Sequence, residues 1–254
     1  MDFASFDLAA LLPFIAVGFA AQLVDGALGM AFGVISNTLL VAVMGVPPAL
    51  ASQRVNVVQC FTSAISGISH LAHRNIDKRL FTKLLIPAMV GGVLGVNLVT
   101  SLDPARIKPF VLLYLVGIGF YIFWRGIRHD HVTREARAVA PFGVIGGFLS
   151  AVGGGGWGPV VTSNLLIQGA DPRKVVGTVN TVEFFLTLTV SVTFIYHLGF
   201  ADLAGATLGL LIGGIAGAPM GAWAAKHVPA KAMLVMVGVV LSATSLFGIY
   251  RAWL

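Results

Sequence analysis

The chain has 254 residues, of which 57% are hydrophobic and 10% are charged, and its mean hydropathy is +0.92. This composition excludes a soluble globular domain and indicates a polytopic membrane protein. The net charge of +6 is expected from basic cytoplasmic loops, so it predicts no nucleic-acid partner. A single cysteine, Cys60, excludes an internal disulfide and a thiolate metal site. Residues 1–14 lack the basic region of a signal peptide, so we expect this end to be retained.

Ten apolar segments follow one another along the chain, and a membrane-spanning helix needs about 20 apolar residues. The predicted segments are 8–24, 27–45, 49–72, 80–100, 105–127, 139–152, 157–168, 175–196, 203–224 and 232–250. The sixth and seventh are too short to span comfortably, and they flank four consecutive glycines at 153–156. Because glycine and Pro159 both disfavour a helix, we predict Gly-broken short helices or re-entrant hairpins at 146–164 and, more weakly, at 24–37. Close-packed helix crossings are the alternative.

The two halves of the chain are related by an internal repeat. The stretch PPALASQRVNVVQ (47–59) aligns with DPRKVVGTVNTVE (171–183), which places Asn56 on Asn180 and Gln59 on Glu183. In the same order, residues 26–29 align with 153–156, residues 36–37 with 163–164, and residues 91–98 with 213–220. We therefore predict a first transmembrane repeat at 1–127, a basic linker at 128–138 and a second transmembrane repeat at 139–254.

Loop charge predicts that the repeats are inverted. The loop HRNIDKR (73–79) is basic, whereas its counterpart HLGFAD (197–202) has no Lys or Arg. With the linker 128–138 in the cytoplasm and both termini outside, almost every basic loop is cytoplasmic. The fold class is thus all-α and polytopic, with two inverted repeats of about five hydrophobic segments each. The two glycine breaks are then expected towards opposite faces of the membrane. If each broken pair made a single pass, eight helices and parallel repeats would result.

Polar side chains within membrane helices mark candidate pathways. Gln53, Asn56 and Gln59 recur every three residues in the third segment, and Asn180 occupies the matching helix of the second repeat. Arg54 carries a five-donor fork that suits an oxyanion; the alternative is that it snorkels to the headgroups. We expect Arg54, Asn56, Gln59 and Asn180 to contact an anionic substrate.

Two acidic residues are candidates for proton coupling. Glu183 lies about a third of the way along its helix and could instead pair with Arg54 or with a helix N-terminus. Asp25 stands at the first glycine break, where it could instead cap the following helix.

The glycine-rich breaks offer further substrate contacts, because a helix that begins inside the membrane exposes backbone N–H groups. Trp157 would wall such a pocket, or else would anchor the chain at the membrane interface. The remaining polar candidates have helix-to-helix hydrogen bonding as their alternative role. The candidates at the breaks are Gly154, Gly155, Gly156, Trp157, Ser36, Asn37, Ser163 and Asn164.

Enzymatic function is not expected from the sequence. It contains no P-loop and no GxSxG elbow, and no cofactor is implied. His70 and His73 have a metal-like spacing but lie at a basic loop, and His129 and His131 lie in the basic linker, so interfacial solvation is expected for both pairs. We therefore expect no metal site and no enzyme.

Several motifs together resemble the TauE/SafE family of bacterial sulfite and organosulfonate exporters. They are QLVDGALGMAFG (22–33), GVPPALAS (45–52), SGISHL (66–71), GGVLG (91–95), GGGGWGP (153–159) and GTVNTVEF (177–184). The resemblance implies duplicated helical repeats and movement of small sulfur oxyanions or sulfonates across the inner membrane. Many members of that family carry an acid in both repeats near this motif, whereas here the first-repeat position is Gln59.

These expectations combine into an inner-membrane, multi-pass secondary transporter of a small anion, exporting sulfite or an organosulfonate. A passive anion channel and a non-transporting membrane scaffold are the alternatives. The expected partners are the small anionic substrate and the lipid bilayer, and the sequence leaves an oligomer open.

Overall fold

A computed structural model describes residues 8–28, 32–72, 74–127, 139–162, 164–165, 168, 172–200, 204–227 and 230–253. These ranges contain helices and no strand, as the sequence predicts. The helices are α1 (Leu8–Leu28), α2 (Phe32–Thr38), α3 (Pro48–Ala72), α4 (Lys78–Ser101), α5 (Pro104–Ile127), α6 (Val139–Gly153), α7 (Pro172–Leu198), α8 (Ala204–His227) and α9 (Ala230–Trp253). The π-helical turn Leu39–Val43 follows α2, and the turn Gly158–Thr162 follows the glycine run. The linker 128–138 lies outside the described residues.

Local sequence signals explain where these helices begin. Proline stands at the first position of α3, α5 and α7, where its missing N–H has no helical partner to lose. The Asp77 carboxylate accepts hydrogen bonds from the backbone N–H groups of Arg79 and Leu80, at 2.8 and 3.1 Å, and so caps α4. The predicted segments therefore match the observed helices to within a few residues at most ends.

Helix length separates spanning helices from a short one. Helices α4 and α5 have 24 residues each and are about 36 Å long at roughly 1.5 Å per residue, more than the roughly 30 Å hydrocarbon core. By length and composition, three described stretches can cross a membrane: Lys78–Ser101, Pro104–Trp124 and Lys174–Leu198. Helix α6 has 15 residues and is only about 22 Å long at that rise.

Exposed apolar side chains cover the outer faces of several helices. Ile65 and Ile68 on α3, Ile86 on α4 and Phe110 on α5 are all more than half exposed. Such a surface is unfavourable in water and suits contact with lipid chains. The buried core lies between the helices, where α3 and α7 contribute apolar residues such as Val55 and Val182 that are fully buried.

Helices of the first half pack on helices of the second. Helix α1 packs against α8 and α6 packs against α4, while α3 packs on α7 and α5 on α9. Glycines let the backbones approach closely in the first two pairs. A Cβ atom on Gly213 would lie 2.0 Å from the Ile15 carbonyl oxygen, and one on Gly147 would lie 2.1 Å from the Ala88 carbonyl oxygen.

The sequence in which residues of the two helices meet gives the relative direction of the helices in each pair. Gly209 lies against Phe14, and Gly217, farther along α8, lies against Phe19, so α1 and α8 run parallel. Helices α4 and α6 also run parallel, since Gly91 meets Val144 and Gly95 meets Phe148. In contrast, α3 and α7 run antiparallel: Gln53 hydrogen-bonds Gly199, whereas Gly67 lies against Thr181.

Candidate functional site

A cavity of about 250 Å³ lies between α1, α2, α3, α7 and the glycine run. Its wall combines polar side chains with backbone of both glycine breaks. The lining residues are Gln22, Asp25, Phe32, Gly33, Gln59, Thr62, Ser63, Ser66, Gly155, Trp157, Gly158, Thr162, Asn180 and Glu183. The cavity therefore draws on both halves of the chain.

The two glycine breaks cross in direct backbone contact at this cavity. A Cβ atom on Gly155 would lie 2.0 Å from the Val34 backbone nitrogen, and one on Gly33 would lie 2.1 Å from the Gly154 carbonyl oxygen. Gly154 also has a φ of +67°, which favours glycine. The two breaks therefore meet at one place in the structure, and their expected positions towards opposite membrane faces stay a prediction.

Gln59 and Glu183, which the repeat alignment matches, meet across the α3–α7 interface. The Gln59 Nε2 atom donates a hydrogen bond of 3.3 Å to Glu183 Oε1. Both side chains line the cavity, and Gln59 is buried. This contact joins the two halves of the chain at the cavity wall.

Asp25 connects the first glycine break to the cavity. Its Oδ1 atom accepts a hydrogen bond of 3.0 Å from the Phe32 backbone N–H, the first residue of α2. A carboxylate at this position stabilises a helix N-terminus. Asp25 thus has the capping contact that the sequence suggested, and it also lines the cavity.

Trp157 is a wall of the cavity. Its ring is 1% exposed, and Nε1 donates a hydrogen bond of 3.2 Å to the Val179 carbonyl oxygen on α7. An interfacial anchor would present its ring to the lipid headgroups. The buried position shows that the anchor interpretation is wrong.

Asn180 links the cavity to the far end of α3. Its Nδ2 atom donates to Ser66 Oγ at 3.2 Å and lies 3.5 Å from His70 Nε2. His70 Nδ1 lies in turn 3.4 Å from Asn75 Nδ2. These contacts continue the polar lining from the cavity towards the connection between α3 and α4.

Other candidates from the sequence lie outside the cavity wall. The Arg54 guanidinium lies 5.9 Å from the centroid of the Phe14 ring, a cation–π distance. Asn56 donates to the backbone oxygens of Ser52 and Ser150, at 2.9 and 3.4 Å. Asn164 donates to the Val160 carbonyl oxygen at 2.6 Å, one turn back in its own segment.

The remaining candidates lie close to the crossing or beyond the described chain. Ser36 and Asn37 are fully buried on α2 but do not line the cavity. Gly154 and Gly156 neighbour the lining residue Gly155 and contact Asn37 and Tyr114, respectively. Ser163 lies outside the described residues.

Sequence reasoning missed several lining residues. Those not selected are Gln22, Phe32, Gly33, Thr62, Ser63, Ser66, Gly158 and Thr162. Helical spacing would have found some of them, because Ser63 and Ser66 follow Gln59 at i+4 and i+7 on one face of α3. Thr162 and Gly158 depend on how the second break folds, which no spacing rule gives.

The charge of the cavity is unexpected for an anion site. Among the described residues that line it, two are carboxylic acids, Asp25 and Glu183, and none is Lys or Arg. Hydrogen bonds to an anion would therefore come from side-chain amides and hydroxyls and from backbone N–H groups, including those next to Trp157. An ionised carboxylate beside such a ligand would oppose its binding.

Comparisons with known proteins give a consistent result. The model of the family described as "Sulfite exporter TauE/SafE" matches residues 14–248. A "Probable membrane transporter protein YtnM" of Bacillus subtilis (strain 168) is 40% identical over 237 residues, covering 90% of this chain and 79% of the relative. A "Probable membrane transporter protein" of Haemophilus influenzae is 26% identical over 219 residues, covering 82% and 84%. No solved structure matches the chain significantly.

Proposed function

This chain belongs to the sulfite exporter TauE/SafE family of membrane transporters, and we propose that it is an inner-membrane secondary transporter that exports sulfite or an organosulfonate. The family match and the apolar helices make it a multi-pass membrane protein. Substrate, direction and membrane orientation are parts of the proposal.

The cavity at the glycine crossing is the observation that carries the proposal. Its volume of about 250 Å³ equals that of about eight water molecules at roughly 30 Å³ each. This space suits a partly hydrated oxyanion or a small sulfonate. Neutral donors from both halves, including Gln59, Asn180 and Thr162, surround it. A binding site between repeats, beside broken helices, is the common arrangement in secondary transporters.

Helix packing supports inverted repeats. Under the proposed repeat, α1 corresponds to α6, α4 to α8 and α3 to α7. A two-fold rotation that exchanges the two repeats would then carry the pair α1–α8 onto the pair α6–α4, and the helices of both pairs pack together. Since the corresponding helices α3 and α7 run antiparallel, they would cross the membrane in opposite directions, whereas parallel repeats need them to cross in the same one. Both termini would lie outside and the linker 128–138 in the cytoplasm.

Proton coupling follows from the charge of the cavity. An anion beside two ionised carboxylates is repelled, so binding is favoured when Glu183 takes up a proton. A protonated Glu183 also gains an O–H donor for the anion. Asp25 contributes the second acid but also caps α2. We propose Glu183 as the main proton carrier, with Asp25 as its partner across the cavity.

We propose two groups of substrate contacts, one in the cavity and one beyond it. The direct ligands are Gln59, Asn180, Trp157 and the backbone around Gly154–Gly156. Asn56, Ser36, Asn37 and the region of Ser163 and Asn164 are proposed to contact the anion as it moves beyond the cavity. Arg54 lies outside the wall and would act on the anion at longer range.

Flux into proteoliposomes tests the function. Purified protein should move radiolabelled sulfite or methanesulfonate above the level of empty liposomes, with a rate that saturates with concentration. A rate that never saturates would favour the channel. If neither anion moves, although a thermal-unfolding transition shows that the protein is folded, the substrate class is rejected.

A further inference from the structure

Helix α3 carries a polar stripe along almost its entire length. Its members alternate at spacings of four and three residues, so they share one helical face. The stripe, as named here, consists of Ser52, Asn56, Gln59, Ser63, Ser66 and His70. From Ser52 to His70 the helix rises by about 27 Å at roughly 1.5 Å per residue, close to the roughly 30 Å hydrocarbon thickness.

The cavity exposes only part of this stripe. Gln59, Ser63 and Ser66 line it, and His70 continues the lining through Asn180. Ser52 and Asn56, nearer the N-terminus of α3, are fully buried. The stripe is therefore divided into an open half beyond Gln59 and a closed half at Ser52 and Asn56.

The C-terminal end of α6 covers the closed half. Ser52 Oγ donates a hydrogen bond to the Ala151 carbonyl oxygen, and Asn56 Nδ2 lies 3.4 Å from the Ser150 carbonyl oxygen. These two contacts join α3 to the last turn of α6, directly before the glycine run. Because glycines allow large backbone changes, the covering turn stands next to a hinge-like segment.

Polar atoms accumulate without partners around this cover. Within the described part of the chain, both polar side-chain atoms of Asn37, Oδ1 of Asn56 and Oγ of Ser150 have no hydrogen bond, and all three residues are almost completely buried. Asn37 lies against Gly154, since a Cβ there would be 2.9 Å from Asn37 Cβ. Asn37 is also one turn from Gly33, on the same face of α2. Burying unpaired polar groups is unfavourable, so a second state in which they gain partners would relieve it.

We propose that the anion path continues from the cavity along the closed half of the stripe, and that the last turn of α6 with the glycine run is its gate. In the second state α6 releases Ser52 and Asn56, and Asn37, Asn56 and Ser150 become wetted donors and acceptors for a small hydrated oxyanion. The inference rests on the proposed transport function and assigns its second access side.

Single-cysteine labelling in proteoliposomes tests the gate. In a Cys60→Ala background, Asn37→Cys and Ser150→Cys report the closed half, and Ser66→Cys reports the cavity. Val190→Cys is the control, because this fully buried residue packs against Gly92 of α4, away from the stripe. The reagent is a charged, membrane-impermeant maleimide on both sides of the membrane, with no substrate present.

The gate predicts slow but real labelling of the closed half. The rates at Asn37→Cys and Ser150→Cys should fall about 10- to 1,000-fold below that at Ser66→Cys, because a minor state is populated at roughly 0.1–10%. Reaction at either position above the Val190→Cys rate supports the gate. If neither position reacts faster than Val190→Cys, although a thermal-unfolding transition shows that the protein is folded, the gate is overturned.

A second substitution tests the latch itself. Ser52→Ala removes the hydrogen bond to Ala151 and should speed labelling of Asn37→Cys. Thr193→Ala is the matched control, since its hydroxyl bonds only within α7, to the Thr189 carbonyl oxygen. Equal labelling rates in the two backgrounds would overturn the role of the α6 end. Labelling without sulfite flux would reject the proposed substrate and keep the gate, whereas flux without labelling would reject the gate alone.

Discussion

Glu183 is the residue on which the proposed coupling depends most. It lines the cavity beside Gln59, whose amide donates to its carboxylate. At the aligned positions the first half of the chain offers an amide and the second half an acid, so the pair can carry one proton rather than two. The two-carboxylate scheme implied by relatives therefore does not apply to this pair, and Asp25 supplies the cavity's other acid.

Glu183→Gln should abolish the pH dependence of flux, because glutamine imitates the protonated acid permanently. In the natural protein, flux should fall with rising pH, by up to about tenfold per pH unit if one proton is required. Methanesulfonate is the appropriate substrate, since its own charge does not change near neutral pH. Asp103→Asn, an exposed acid at the start of α5, is the control. A retained pH profile in Glu183→Gln would exclude it as the proton carrier.

Arg54→Gln should raise KM for the anion and leave kcat nearly unchanged. The guanidinium lies outside the cavity wall, over Phe14, so it can attract an anion without contacting it in the bound state. We expect an increase of about tenfold or less. Arg106→Gln, an exposed cation at the start of α5, is the control for general charge. Unchanged KM in Arg54→Gln would reduce Arg54 to a headgroup anchor.

At the scale of elements, the glycine crossing positions the cavity. The two breaks approach until backbone touches backbone, at Gly33 and Gly155. This approach brings the end of α1, the start of α2 and the wall residue Trp157 around one space. Helix α6 stops short, and its end leaves room for the other break beside the glycine run.

Gly155→Ala should destabilise the protein and reduce flux. Its methyl group would lie 2.0 Å from the Val34 backbone nitrogen, and such overpacking costs about 1–3 kcal/mol in the free energy of unfolding. Gly117→Ala is the matched control, because nothing lies within 4 Å of a Cβ there, and alanine in a helix should stabilise by roughly 0.5–1 kcal/mol. Thermal unfolding in detergent measures the stability of both variants. Equal stability of the two variants would contradict the close crossing.

The elements were largely predictable from the sequence, whereas the site was so only in part. Apolar run length and proline positions gave the helix ends, since both act locally. The repeat alignment found Gln59, Asn180 and Glu183 because α3 and α7, the helices that it matches, also pack together. Gln22 and Thr162 could not be found, because they enter the cavity only through the crossing of the two breaks. Loop charge indicated only the membrane side of each break, and the contact between the two breaks depends on packing that loop charge does not report.

At the scale of the molecule, inverted repeats would make corresponding loops face opposite sides of the membrane. Lys78→Cys, at the first residue of α4, and Phe200→Cys, in the connection that follows α7, are made in a Cys60→Ala background, and both side chains are exposed. An impermeant thiol reagent should label Lys78→Cys from the cytoplasmic side and Phe200→Cys from the outer side of oriented vesicles. Labelling of both from the same side would contradict the inversion and favour parallel repeats.

The proposed alternating access between inverted repeats would account for one half of the polar stripe being open and the other covered. A carrier of this kind exposes its binding site to one side of the membrane at a time. Substrate on the opposite side can load the carrier there, and the carrier then returns with that substrate bound. A channel has no such step, and a scaffold moves no anion at all.

Counterflow in proteoliposomes tests this account most directly. Vesicles preloaded with unlabelled methanesulfonate and diluted into trace labelled methanesulfonate should take up the label transiently above its equilibrium level, because the loaded carrier returns labelled anion inward. Empty liposomes should show no overshoot. Uptake that rises only to equilibrium, or no uptake at all, would contradict transport by alternating access in this protein.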